Sequence, residues 1–179
     1  MIKPRPLVIS AMILGAIVSR LVPHPWNLTS VTAVALFSGA CFSDRRLALA
    51  IPLGALFLSD LVLGFYSGMP VVYLAFALVG GIGMTLRGRR RPLPIALATL
   101  TGSILFFVVS NFGVWAFGPL YPHSLAGLAS CYVNALPFFR NSLEGDALYS
   151  LVLFGGFALI ERRFQSVREA RALGAVALA

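Results

Sequence analysis

The chain has 179 residues, 59% hydrophobic and 11% charged, with a formal charge of +8 and a mean hydropathy of +0.89. Soluble domains carry about 25% charged residues, so a soluble enzyme or soluble binding module is excluded. The basic residues fall between apolar runs and not along one amphipathic face, which argues against nucleic acid and makes them markers of membrane orientation.

Apolar runs predict six membrane helices in a single transmembrane domain, 1–179, with spans at about 7–22, 28–43, 47–66, 70–87, 94–117 and 143–161. Lys3 and Arg5 before Leu7 to Ile17 imitate a secretory leader, but the later spans make this an uncleaved first helix. On it Ala11, Gly15 and Ser19 recur every four residues. Small residues at that spacing let another helix approach closely, since lipid gives helices no hydrophobic reason to associate. That helix is either a neighbour in the same chain or a separate membrane subunit.

The stretch "RLVPHPWNLT" turns the chain into the second span and gathers Arg20, His24, Trp26 and Asn27. It is a connection by position, but its makeup suits the lid or wall of an outer site. In the third span Pro52 predicts a kink. Asp60, in "FLSDLVLGF", is the most informative residue there, because an acid at mid-span costs about 2.5–3.5 kcal/mol unless paired or wetted. It is read either as a ligand contact or as the counter-charge of Arg20 or Arg140. In the fifth span Asn111 and Trp115 are four apart and share a helix face. An amide beside an indole can hydrogen-bond and stack a flat polar ligand, or the pair is an interfacial anchor with an interhelical hydrogen bond.

Between Gly118 and Asn141, "HSLAGLASCYVNALPFF" reads as a short interfacial or re-entrant helix ending near Pro137, with Tyr132 and Asn134 on it. The sixth span then begins at "FFRNSLEGDALYS". Asn141 with Glu144 fits a capping box, which leaves Asp146 as the acid expected to face a cavity and Arg140 to meet an anionic group.

Of the 14 lysines and arginines only Arg20 and Arg140 lie on the outer side when both termini are placed in the cytoplasm. Every histidine, tryptophan, asparagine and tyrosine then falls in the outer half. An aromatic belt decorates both interfaces, so this asymmetry points to recognition of something arriving from outside. No phosphate-binding loop, zinc-protease motif or nucleophile elbow occurs. Cys41 and Cys131 have neither metal-ligand spacing nor a disulfide pattern. No catalytic residue, metal or cofactor is expected, and the partners expected are the lipid bilayer and a small molecule, not nucleic acid.

Six short helices, cytoplasmic termini, a small-residue stripe on the first helix and polar residues at the outer face together resemble the substrate-binding S components of energy-coupling-factor (ECF) vitamin transporters. "RLVPHPWNLTSVTAVALFSGACF", "LFLSDLVLGFY" and "SNFGVWAFGPLYPHSLAGLASCYVNALPFFRNSLEGDALYSLVLFG" are similar to a bacterial family of S-component-like transport proteins, over residues 20 to 157. The resemblance implies a multi-pass protein of the bacterial cytoplasmic membrane that binds a vitamin or related micronutrient. It also implies docking of Ala11, Gly15 and Ser19 on a transmembrane coupling subunit that carries two cytoplasmic ATPases. The substrate contacts expected from the polar and aromatic residues gathered at the outer face are Arg20, His24, Trp26, Asn27, Asp60, Asn111, Trp115, Tyr132, Asn134, Arg140 and Asp146. A structural envelope protein whose outer polar cluster only holds the helices is the alternative, and a lipid-modifying enzyme using Asp60, Glu144 and Asp146 is a third.

Overall fold

A computed structural model describes residues 4–21 and 28–168, all of them helical or in the turns between helices. The helices are α1 (Pro4–Val18, extended by a 3₁₀ turn Ser19–Leu21), α2 (Val31–Cys41), α3 (Arg45–Leu63), α4 (Met69–Met84), α5 (Pro92–Phe117) and α6 (Leu125–Ser150). A π-helical turn, Leu151–Gly155, joins α6 to α7 (Gly156–Arg163) without a break. Four helical segments are long and apolar enough to cross a membrane: Pro4–Leu21, Arg45–Leu63, Pro92–Phe117 and the 39-residue Leu125–Arg163. Their outward faces are apolar in helical register, as Leu93, Leu97, Leu100, Ile104 and Val108 show on α5. In water such stripes would aggregate, and in a bilayer they are the solvent-facing surface.

The shorter helix α2 is the core of the bundle. All 11 of its residues are buried, with α1, α3, α4, α5 and α6 all packed against it. Glycine makes the tightest of these contacts possible. A Cβ on Gly83 would lie 2.8 Å from the Leu36 Cα, and one on Gly39 would lie 2.9 Å from the Met84 backbone nitrogen. Helices α2 and α4 therefore meet backbone to backbone. Towards the basic end, Phe37 is met edge-on by Phe154 and Phe157 at 5.4 and 5.5 Å.

Pro52 sits inside α3 and has no N–H to give the carbonyl of Ala48, one turn earlier. The Ser38 hydroxyl on α2 donates to that carbonyl at 2.6 Å. A helix break is thus converted into an interhelical bond, and α3 runs uninterrupted. Ser38→Ala is expected to destabilise the protein by about 1–3 kcal/mol, the cost of a buried acceptor left unmade. Thermal denaturation in detergent checks this.

The last helix departs from the sequence expectation. Residues 125–163 form one continuous rod, not a short interfacial helix followed by a separate span. Ser124 caps its start, accepting from the Gly127 N–H at 3.1 Å. Pro137 lies exposed on its surface. The helix stays intact because α5 acts as its template: the Tyr132 hydroxyl donates to the Val108 carbonyl at 2.7 Å, and Phe139 meets Phe107 at 4.6 Å. The capping box at Asn141 and Glu144 is also overturned. Both residues lie mid-helix, where Glu144 pairs with Arg140 at 3.0 Å one turn away on the exposed surface.

At the basic end the helices are tied by one carboxylate. Glu161 accepts from Arg5 and, through both oxygens, from Arg90 at 3.0 and 3.2 Å. Both guanidinium groups also lie over the Phe157 ring, at 5.1 and 5.7 Å. Arg87 donates to the Gly39 carbonyl at 3.0 Å, closing the end of α2.

Candidate functional site

Two polar clusters lie toward the end of the bundle opposite this clasp. The first joins α1, α3 and α4. Asp60, 1% exposed, receives Arg20 at 3.1 Å and the Tyr73 hydroxyl at 2.9 Å. Arg20 also donates to the Ser59 hydroxyl at 2.5 Å. Asp60 is thus the counter-charge of Arg20, one of the two roles the sequence left open. Oδ2 accepts from Tyr73 and Oδ1, which accepts no hydrogen bond, pairs with Arg20 by charge, so the carboxylate ties three helices together.

The second cluster joins α2, α5 and α6. Gly145 has no side chain, so the backbone of Leu28 and Thr29 lies directly against α6. This brings the first turn of α2 to Asp146, 3% exposed. The α2 cap residue Ser30 leaves the free first-turn N–H groups alone, because its hydroxyl donates to the Ala16 carbonyl at 2.7 Å. Asp146 takes that place from another helix. It accepts from the Ser103 hydroxyl at 2.6 Å and faces the Ala33 N–H and the Thr32 hydroxyl at the start of α2. A carboxylate at a helix N-terminus meets both the unpaired donors and the positive end of the dipole. Among the described residues no cation pairs with it.

Asp146 also floors a pocket of about 100 Å³ between α5 and α6, with Ser103, Ser110, Asn111 and Ser142 as its polar wall and Phe138 on its apolar side. The Asn111 amide donates to the Phe107 carbonyl at 2.8 Å, one turn back on its own helix. Sequence reasoning found Asp146 and Asn111 but missed Ser103 and Thr32. Hydroxyl residues inside an apolar run were the available signal, since each must find an acceptor in the bundle.

The other expected contacts lie elsewhere. Trp115 gives its indole N–H to the Pro122 carbonyl at 3.0 Å and packs on Phe112 and His123, so it anchors the turn after α5. The exposed Asn134 reaches the Tyr121 hydroxyl at 3.4 Å. Tyr132 and Arg140 are engaged along the α5–α6 hairpin and on α6 itself. Neither Trp115, Tyr132, Asn134 nor Arg140 lines the pocket. His24, Trp26 and Asn27 fall outside the described residues.

On α1, Ala11 and Gly15 are exposed, and a Cβ on Gly15 would meet nothing within 4 Å. Among the described residues, no neighbour in the same chain covers them. Ser19 differs: its hydroxyl donates to the Ala16 carbonyl at 2.6 Å and accepts from Tyr149 at 2.7 Å, binding α1 to α6.

A family model described as a family of unknown function (DUF6580) matches residues 1–169. The chain belongs to this family. No curated protein and no solved structure matches it. For DUF6580, then, the chemistry of the site itself is the guide to function.

Proposed function

We infer that this protein is an S-component-like uptake protein of the bacterial cytoplasmic membrane, with six helices crossing or inserted in the bilayer and both termini in the cytoplasm. It takes up a vitamin-like micronutrient from the outer face. The observation that carries this reading is the pocket at Asp146: an acid without a cationic partner among the described residues, joined by an amide and three serines inside an apolar bundle. Intramembrane acids mark ligand pathways by default. The wall is rich in acceptors, so the complementary ligand group is an N–H donor, such as an amine or the edge of a nitrogen heterocycle. At about 100 Å³ the pocket takes such a group and not a whole vitamin, since complete ligand sites measure about 300–1,000 Å³. The rest of the ligand would extend toward the outer face. The uncovered Ala11 and Gly15 give a coupling subunit room to dock.

Native mass spectrometry of protein purified gently from its host, followed by a thermal-shift screen of vitamins and nucleobases, tests this. A co-purifying ligand is expected. Asn111→Ala removes the amide without adding bulk to the pocket, so it should weaken that ligand about tenfold, the worth of one hydrogen bond, while the melting temperature holds. An unchanged affinity would remove the pocket from the site.

The small pocket volume and the internal bonding of both acids favour a second reading, an envelope scaffold whose polar clusters only join helices. Absence of any ligand in both screens decides for it.

A further inference from the structure

A groove among the described residues is larger than the polar pocket. It measures about 500 Å³ and runs between α5 and the last helix, open toward the lipid-facing side. Its walls are apolar and low: Ala96, Ala147, Gly155 and Ala158 line it beside Leu100 and Leu151. The π-helical turn Leu151–Gly155 forms one edge, and a Cβ on Gly155 would meet nothing within 4 Å. Arg90 and Arg162 stand in the groove lining at its basic end.

The charge at that end is unbalanced. Glu161 is shared between Arg5 and Arg90. The exposed Arg162 has no carboxylate partner among the described residues. An apolar slot leading to surplus arginine charge is complementary to a molecule with a long apolar tail and an anionic head. A second copy of the chain is the wrong occupant, because it would bring arginine against arginine on a chain that already carries +8.

We propose that this groove holds one acyl chain of an anionic phospholipid, with its phosphate between Arg90 and Arg162. Since every acyl chain in a bilayer is already in apolar surroundings, the slot selects by shape and the arginines select by charge. Arg162 is the freer of the two and sets the preference for the anionic head, by about fivefold for one arginine near a membrane surface.

The test is native mass spectrometry of the full chain released from nanodiscs that contain equal phosphatidylglycerol and phosphatidylcholine. The wild type should retain one phosphatidylglycerol in preference to phosphatidylcholine. Arg162→Gln should lower that preference about fivefold, whereas Arg163→Gln, on a neighbouring position outside the groove lining, should leave it unchanged. Gly155→Leu fills the slot and should reduce retention of both lipids, with an unaltered melting temperature showing that the fold survives. Equal retention of the two lipids by the wild type would overturn the proposal. So would an equal loss in both arginine variants, which would mean a general surface-charge effect, or a dimer that disappears in Gly155→Leu.

Discussion

Gly83→Ala, and separately Gly39→Ala, should leave little or no folded protein in the membrane. The added methyl has nowhere to go. At Gly83 it would press on the Leu36 backbone, with 2.8 Å to Cα and 2.9 Å to the carbonyl carbon, and at Gly39 on the backbone of Gly83 and Met84. A flexible side chain could swing aside, but these neighbours are main chain. The two helices must separate, and α2 touches almost every other element, so the strain spreads through the whole core. The expected cost is at least about 3 kcal/mol, the top of the overpacking range. Gly54→Ala and Gly81→Ala are the controls, because a Cβ there meets nothing within 4 Å. Alanine favours a helix over glycine by about 1 kcal/mol, so both should be neutral or slightly stabilising. Thermal denaturation and size-exclusion profiles of the four variants in detergent give the comparison. Gly83→Ala and Gly39→Ala melting like the wild type would show that α2 and α4 do not meet backbone to backbone.

The second large effect concerns Arg20 and Asp60. Removing either partner alone leaves an uncompensated charge: Asp60→Ala strands Arg20, whose side chain is 13% exposed, and Arg20→Ala strands Asp60 at 1%. Each single substitution should cost about 3–5 kcal/mol. The double variant should recover most of that loss, because charged and uncharged pairs of similar packing differ far less than a half-broken pair. Recovery measured in a double-mutant cycle identifies the pair as structural. Additive losses would instead mean that each residue serves a separate partner. Ligand affinity is informative in the same experiment: in the folded double variant it should be unchanged, since the Asp146 pocket lies on other helices.

The membrane character, the helical fold and the places of five of the six apolar helices followed from sequence alone. Apolar runs and the arginines between them are local features, and a bilayer forces every backbone polar group in them to be satisfied within a helix. The third, fourth and fifth expected spans, 47–66, 70–87 and 94–117, lie within a few residues of α3, α4 and α5. Asp60 and Asp146 were also legible, because an acid in an apolar run announces its own cost.

What each acid does with its charge was decided by tertiary structure. Asp60 could have met a ligand, Arg20 or Arg140. It met Arg20 because the 3₁₀ turn after α1 places that side chain over α3. Asp146 meets the start of α2 from across the bundle, a role no spacing in its own helix could reveal, since the N–H it faces belongs to Ala33. Pro137 and the polar stretch around it suggested a helix end, yet packing along α5 kept the helix whole, just as Ser38 repaired the bond that Pro52 breaks. The buried position of α2 was equally hidden: its 11 mostly apolar residues look like a short span, and only the glycines of α4, opposite in space and distant in sequence, make it the core. Periodicity and hydropathy register what each residue does to its own segment. The partners that satisfy a proline, a carboxylate or a glycine face come from elsewhere in the chain, so only the folded arrangement names them.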